Sequence, residues 1–314
     1  MRLKLILLTI LFGVSAGTVA LFVYLMKIQG EQVYPASLVQ APPRNSGRAF
    51  LLPIAETNYS PVRDFNVLEP VLGAKAAALF DVQSGRFLYA KNMNQRLPIA
   101  SITKLMSAIV VLENLNLDDV FTVPPEDINV DGNGADFYKN EQLRGTDLFK
   151  IMLVKSSNDA ALAFADAARK KGIDFVAKMN EKAQSIGMFN TKFADPAGLN
   201  DQDAFSTASD LVKLMRYAAS YDLISQMLET RSATAMSADG KTTHFVVNTN
   251  QLLGKMPEVI MGKTGYTDGA LGTMVLEANV GGGDVLISVV LGSEDRFDEA
   301  QKLIKWAEKA FTWK

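Results

Sequence analysis

Strand signals gather at the two ends of this chain and helical spacing fills the middle, a distribution that limits the fold more than any other feature. An alternating apolar stretch runs from Ala74 to Val82, turns at Gln83-Ser84-Gly85 and returns from Arg86 to Met93, which predicts a hairpin. Strand patterns dominate again only at Val259 to Thr264, Leu271 to Val280 and Asp284 to Leu291, the last two joined across Gly281-Gly282-Gly283. Between these ends, helical spacing begins at Ser101 and continues through Leu105, Ile109 and Leu112. Thr146 caps Asp147 to Val154, Asn158 to Lys170 is alanine-rich, and Asp174 caps a helix that stops near Gly187. Thr207-x-x-Asp210 opens another helix to Tyr217 or beyond, and a last one covers Asp298 to Trp313. Helices inserted between distant groups of strands imply an α+β fold, with an antiparallel sheet whose edge strands come from remote parts of the sequence.

Ahead of this body, Arg2 and Lys4 precede an uncharged apolar run from Leu5 to Met26, slightly longer than the roughly 20 residues that cross a bilayer as a helix. Basic residues before the run place the N-terminus inside and the body outside. Residues 1–26 therefore read as a signal anchor, or as a signal peptide cut after Thr18-Val19-Ala20, and both export the body. Residues 27–73 carry Pro35, Pro42, Pro43, Pro53, Pro61 and Pro70 with little periodicity, the pattern of a linker, and leave 74–314 as the folded domain.

Composition removes several function classes. The 32 Lys and Arg against 34 Asp and Glu give a net charge of -2, which offers no electrostatic case for nucleic acid. No cysteine is present, so disulfides, thiolate metal sites and a cysteine nucleophile are excluded. The one histidine, His244, cannot build a His-ligated zinc cluster, and it reads as a strand residue within Thr242 to Val246. No metal or cofactor is expected. If the chain has a serine nucleophile, its base is then a residue other than histidine, and lysine is the obvious substitute.

Three short motifs bear on that question. Ser101-x-x-Lys104 sits at a helix start, where positions i and i+3 share a face and bring the hydroxyl within reach of the amine. Ser156-Ser157-Asn158 lies between two helical segments, and Lys263-Thr264-Gly265 closes a late strand. Singly, each has a bland counterpart: a solvated pair on a surface helix, a turn with Asn158 as the next N-cap, and a strand end with a turn glycine.

In this order, the three are the signature set of penicillin-recognising serine enzymes. With Asp81 to Gly85, Pro98 to Lys104, Ser156 to Ala160, Asp195 to Leu199, Ser206 to Ala208 and Gly262 to Asp268, the chain resembles the D-alanyl-D-alanine carboxypeptidase family of low-molecular-mass penicillin-binding proteins from Ala74 to Trp306. The resemblance implies a β-lactamase/transpeptidase-like fold and removal of the terminal D-alanine from peptidoglycan stem peptides through an acyl-enzyme on Ser101. It implies acylation by β-lactams and a place in the cell envelope. Lys104 would be the general base, Ser156 the proton relay to the leaving group, and Asn158 a partner for the substrate backbone. The backbone N–H groups of Ser101 and Tyr266 would form the oxyanion hole. Lys263, Thr264 and Arg296 would hold the D-alanine carboxylate, and Gly265 would let the substrate backbone approach the strand edge.

The base role requires a neutral Lys104, whereas an ordinary lysine titrates near ~10.4. Desolvation and a nearby second ammonium both lower an amine, and Lys263 is the natural second ammonium. Ser84-Gly85 and Asp195 to Leu199 read as turn and packing features. Ser157 replaces the glycine of many relatives without a role in contacting substrate. Many relatives also carry a second, β-rich C-terminal domain, and this chain ends at Lys314 directly after its last predicted helix. Single-domain relatives include D,D-endopeptidases, so cleavage of peptidoglycan cross-links by the same site is the alternative activity. A catalytically silent wall-binding module conflicts with the full set of catalytic residues, and a class A β-lactamase lacks its Glu-x-x-Leu-Asn stretch.

Overall fold

The computed structural model describes residues 61–128, 132, 134–281 and 283–313. In chain order these form β1 (Val62–Arg63), β2 (Ala76–Asp81), β3 (Arg86–Lys91), α1 (Thr103–Asn114), β4 (Val120–Val123), β5 (Glu141–Arg144), α2 (Gly145–Val154) and α3 (Asn158–Lys170). There follow α4 (Phe175–Ser185), α5 (Ala208–Ala218), α6 (Asp222–Glu229), β6 (Ser232–Met236), β7 (Thr243–Val247), β8 (Val259–Thr267), β9 (Leu271–Asn279), β10 (Val285–Ser293), α7 (Arg296–Ala310) and β11 (Phe311–Thr312). The apolar run from Leu5 to Met26 lies outside the described residues. Among the described residues no helix is long and apolar enough to cross a membrane.

The five-stranded sheet has the order β3-β2-β10-β9-β8 and is antiparallel throughout. Its two edge strands do come from distant parts of the chain, because β10 returns to pair with β2 after the helical middle has been inserted. β2 and β10 are buried on both faces, which accounts for their nearly unbroken apolar sequences. Alternation sorts the side chains: Ala76, Ala78, Phe80, Ile287, Val289 and Leu291 face a core shared with α1, α2, α3 and α5. Ala77, Leu79, Leu286 and Val290 face a second core with Leu303, Ile304, Trp306 and Ala307 of α7.

Helix α1 is the centre of the larger core. Every residue from Thr103 to Val111 is buried, so the helix has no solvent face along most of its length. Lys104 is therefore enclosed by the packing that makes the domain stable.

The structure departs from the sequence reading at several elements. β4, β5 and β6 are short strands that carry polar residues, such as Glu141-Gln142-Leu143-Arg144, too weak to stand out in sequence, whereas β7 falls on the strand read around His244. The last helix starts two residues early, at Arg296, and stops at Ala310. Phe311 and Thr312 leave it to pair with Arg63 and Val62, and the Phe311 ring packs edge-on against Trp306 at 5.4 Å. Part of the stretch read as a linker is thus fastened to the domain. Buried Glu299 on α7 adds a second fastening by accepting the N–H groups of Gly73 and Ala74, the latter at 3.0 Å.

Replacing Glu299 with alanine leaves these two backbone donors without their acceptor, at a cost of about 1–3 kcal/mol. Thermal denaturation of Glu299→Ala should show a Tm lowered by several degrees. An unchanged Tm would mean that water replaces the carboxylate.

Candidate active site

Ser101 lies in a single 3-10 turn, Ala100–Ile102, that leads into α1, and Lys104 follows one turn later. The Lys104 Nζ is 2.8 Å from Ser101 Oγ, 2.6 Å from Asn158 Oδ1 and 2.9 Å from the Ala197 carbonyl. All three partners are uncharged, and the residue is 0% exposed. Burial pushes Lys104 down to about 7, although Asp195 and Asp159 pull it upward. A neutral amine in this cage keeps a lone pair that can face the serine hydroxyl.

Lys263 is the second buried amine. Its Nζ is 2.6 Å from Ser156 Oγ and 2.9 Å from the Thr264 carbonyl. Burial, then the charges of Lys104 and Arg296, hold it well below the ordinary lysine value. The repulsion between the two amines disfavours charging both at once. The sequence reading expected desolvation and a second ammonium to lower Lys104; desolvation is the largest cause of its shift, with two carboxylates opposing it.

The loops around these amines supply their acceptors. The Asp195 carboxylate accepts the N–H groups of Ala197, Gly198, Leu199 and Asn200 at 2.8, 2.5, 3.0 and 2.9 Å, winding the loop around one charge. This turns the Ala197 carbonyl onto Lys104. Gly198 has φ +80°, and a Cβ there would lie 2.0 Å from the Ala100 carbonyl oxygen, so a side chain would push the loop off the nucleophile turn. The stretch was read as a turn, which it is, but its contribution to the site is a main-chain carbonyl that no side chain announces. Ala100 and Ser156 have φ 47° and 62°, and left-handed non-glycine residues next to both hydroxyls cost of order 1 kcal/mol each.

Asn158 is the first residue of α3, and the cap is Ser157, whose Oγ accepts the Ala160 N–H at 3.2 Å. A serine in the middle of the motif therefore caps the helix and leaves the Asn158 amide to face Lys104.

On β8, a Cβ at Gly265 would lie 2.8 Å from the Ser101 nitrogen and 2.5 Å from Thr273 Oγ1. This strand edge thus lies directly against the nucleophile turn, which Thr273 also holds through the Ile99 carbonyl at 3.1 Å. The Thr264 hydroxyl donates to Thr249 Oγ1 at 2.6 Å. Tyr266 follows with an exposed side chain. Arg296 stands at the start of α7, stacked 4.6 Å over Phe297, and makes no ion pair among the described residues.

Of the expected residues, Ser101, Lys104 and Asn158 thus form one hydrogen-bonded group and Ser156, Lys263 and Thr264 another, with Gly265 between them. Arg296 joins through its charge alone. Ala197 and Thr249 were missed. His244 has its Nε2 2.7 Å from Glu141 and its Nδ1 3.1 Å from the Ala135 carbonyl, so it is engaged away from Ser101.

The sequence profile of the D-alanyl-D-alanine carboxypeptidase family matches residues 64–295. The chain is 30% identical over 244 residues to the D-alanyl-D-alanine carboxypeptidase DacF of Bacillus subtilis, covering 76% of this chain and 62% of that relative. It is 32% identical over 246 residues to a D-alanyl-D-alanine endopeptidase of Pseudomonas aeruginosa, covering 77% and 79%. The fold is similar to that of penicillin-binding protein D2 from Listeria monocytogenes in its ampicillin-bound form, with a TM-score of 0.67, 30% identity and coverage of 76% and 99%.

Because Lys104 binds a proton only below about 7 in the folded protein but up to ~10.4 when unfolded, the unfolded state carries more protons between these values. Stability contributed at this site is then lowest below pH 7 and recovers as pH rises towards ~10.4. Lys104→Met should be more stable than the parent at pH 6, by a margin that shrinks by pH 9. Urea unfolding at the two pH values measures this, and an equal margin at both would contradict a buried amine with a lowered pKa.

Proposed function

The chain belongs to the D-alanyl-D-alanine carboxypeptidase family, and on that premise we propose that it removes the terminal D-alanine from peptidoglycan stem peptides through an acyl-enzyme on Ser101. The observation that carries this reading is the Lys104 amine, 2.8 Å from Ser101 Oγ and desolvated to a pKa of about 7. At neutral pH a large fraction of it is neutral and can take the serine proton as Oγ attacks the penultimate carbonyl.

Negative charge then develops on that carbonyl oxygen beside the Ser101 and Tyr266 N–H groups. As the peptide C–N bond breaks, the proton that Lys104 took from Ser101 passes by way of Ser156, hydrogen-bonded to Lys263, to the departing amine, which leaves Lys104 neutral again. Asn158 meets the substrate backbone as well as Lys104. The missing side chain of Gly265 lets β8 lie against the Ser101 turn and not, as expected, beside the substrate backbone, while Lys263, Thr264 and Arg296 hold the carboxylate of the leaving D-alanine. Water then hydrolyses the ester, with Lys104 again accepting a proton.

A second reading keeps this chemistry and takes cross-linked peptides instead. It is motivated by the Pseudomonas relative, which bears the endopeptidase name and is 32% identical to this chain over 246 residues. Family membership puts the site of action at the cell envelope. The basic residues and apolar run at the N-terminus, from Arg2 to Met26, would hold the domain at the outer face of the membrane.

Protein from Lys27 onward should release D-alanine from a pentapeptide stem, and Ser101→Ala should abolish release. Monomers appearing from cross-linked muropeptides without free D-alanine would select the endopeptidase. Labelled penicillin should add one label to the parent and none to Ser101→Ala by intact mass. Acylation should accelerate as pH rises through about 7 and then level off, because protonation of Lys104 removes the base. A rate that keeps climbing towards pH ~10 would mean that an ordinary lysine is titrating.

A further inference from the structure

The motif Asn248-Thr249-Asn250 has no place in the mechanism above, yet it brings a hydroxyl to the wall of the site. Its two asparagines are used in fixing the turn. The Asn248 Nδ2 donates to the Thr230 carbonyl at 2.8 Å, and its Oδ1 accepts the Asn250 N–H at 2.8 Å. Asn250 is buried, with its Oδ1 accepting the Leu252 N–H at 3.1 Å. A Cβ on Gly262 would lie 3.1 Å from Asn250 Nδ2, so the turn is also seated against β8. Thr249 is the half-buried residue between these anchors, and its Oγ1 receives the Thr264 hydroxyl at 2.6 Å.

Thr264 is consequently held at both ends, its carbonyl by Lys263 at 2.9 Å and its hydroxyl by Thr249. A hydroxyl has one proton. While that proton is given to Thr249, Thr264 has none to offer an incoming carboxylate. Thr249 has a proton of its own, so rotation of the two O–H bonds reverses the contact without moving a heavy atom. Thr249 then donates to Thr264 Oγ1, and Thr264 donates to the carboxylate. A hydroxyl that accepts a hydrogen bond becomes a better donor, so the chain of two favours an anion over a neutral group.

We propose that Thr249 is a positioning residue that acts through Thr264 to set the preference of this site for substrates ending in a carboxylate. The inference rests on the reading of Thr264 as a carboxylate ligand. It concerns selectivity between leaving groups, and it leaves the chemistry at Ser101 unchanged.

The test compares two acyl donors: a D-alanyl thioester whose leaving group ends in a carboxylate, and the same thioester as its methyl ester. Thr249→Val removes the hydroxyl with little change of shape, Thr249→Ala is a second hydroxyl-free variant, and Thr249→Ser restores it. For Val and Ala, KM for the carboxylate donor should rise about three- to ten-fold with kcat little changed, while the ester is unaffected; Ser should return the parent ratio. An equal loss on both donors would make Thr249 merely structural and overturn the proposal. So would a Val variant that discriminates as well as the parent, and there the reading of Thr264 survives. A parent enzyme that accepts both donors equally overturns that reading and the inference with it.

Discussion

Two lysine amines are buried in this domain with only neutral oxygens as hydrogen-bond partners among the described residues, and most of the site's architecture follows from that constraint. A charged amine without water must be paired or must lose its proton. Here the partners of Lys104 are a hydroxyl, an amide and a carbonyl, which suit a neutral amine, and the carboxylates of Asp195 and Asp159 act on it only through space. A direct ion pair would have held the ammonium form and removed the base.

That requirement explains why the site is assembled from such separated pieces. α1 supplies burial, the Asp195 loop a carbonyl, the start of α3 an amide, and β8 both the second lysine and the edge against the nucleophile turn. Each piece is fixed by its own local device: four N–H groups on Asp195, a serine cap at Ser157, a glycine at 198 where any side chain collides. The acceptors are therefore in place before any substrate arrives, as electrostatic preorganisation requires.

Much of this was legible in the amino-acid sequence, and the exceptions share a cause. The hairpin at Arg86, the late strands and the three motifs are carried by side-chain pattern, and the structure joins them into one sheet and one site. The Ala197 carbonyl is main chain, and its presentation depends on Asp195 folding a loop that reads as an ordinary turn. Thr249 is a common residue whose relevance appears only when its turn is laid beside β8. β4, β5 and β6 are short and carry polar residues, so pairing partners rather than propensity make them strands. Sequence shows that Lys104 and Lys263 both exist, but it says little about how completely a helix encloses the first of them.

The ladder between Val62–Arg63 and Phe311–Thr312 has a mechanical consequence. A load arriving along the chain from upstream of residue 61 meets this two-residue ladder first and the Glu299 clamp on Gly73 and Ala74 second. Only then does it reach β2, which lies inside the sheet between β3 and β10. Short ladders of this kind open one bond pair at a time, whereas the central strand would have to break its pairing with both neighbours together. The ladder and the clamp thus stand between the upstream chain and the sheet whose far edge lies against Ser101.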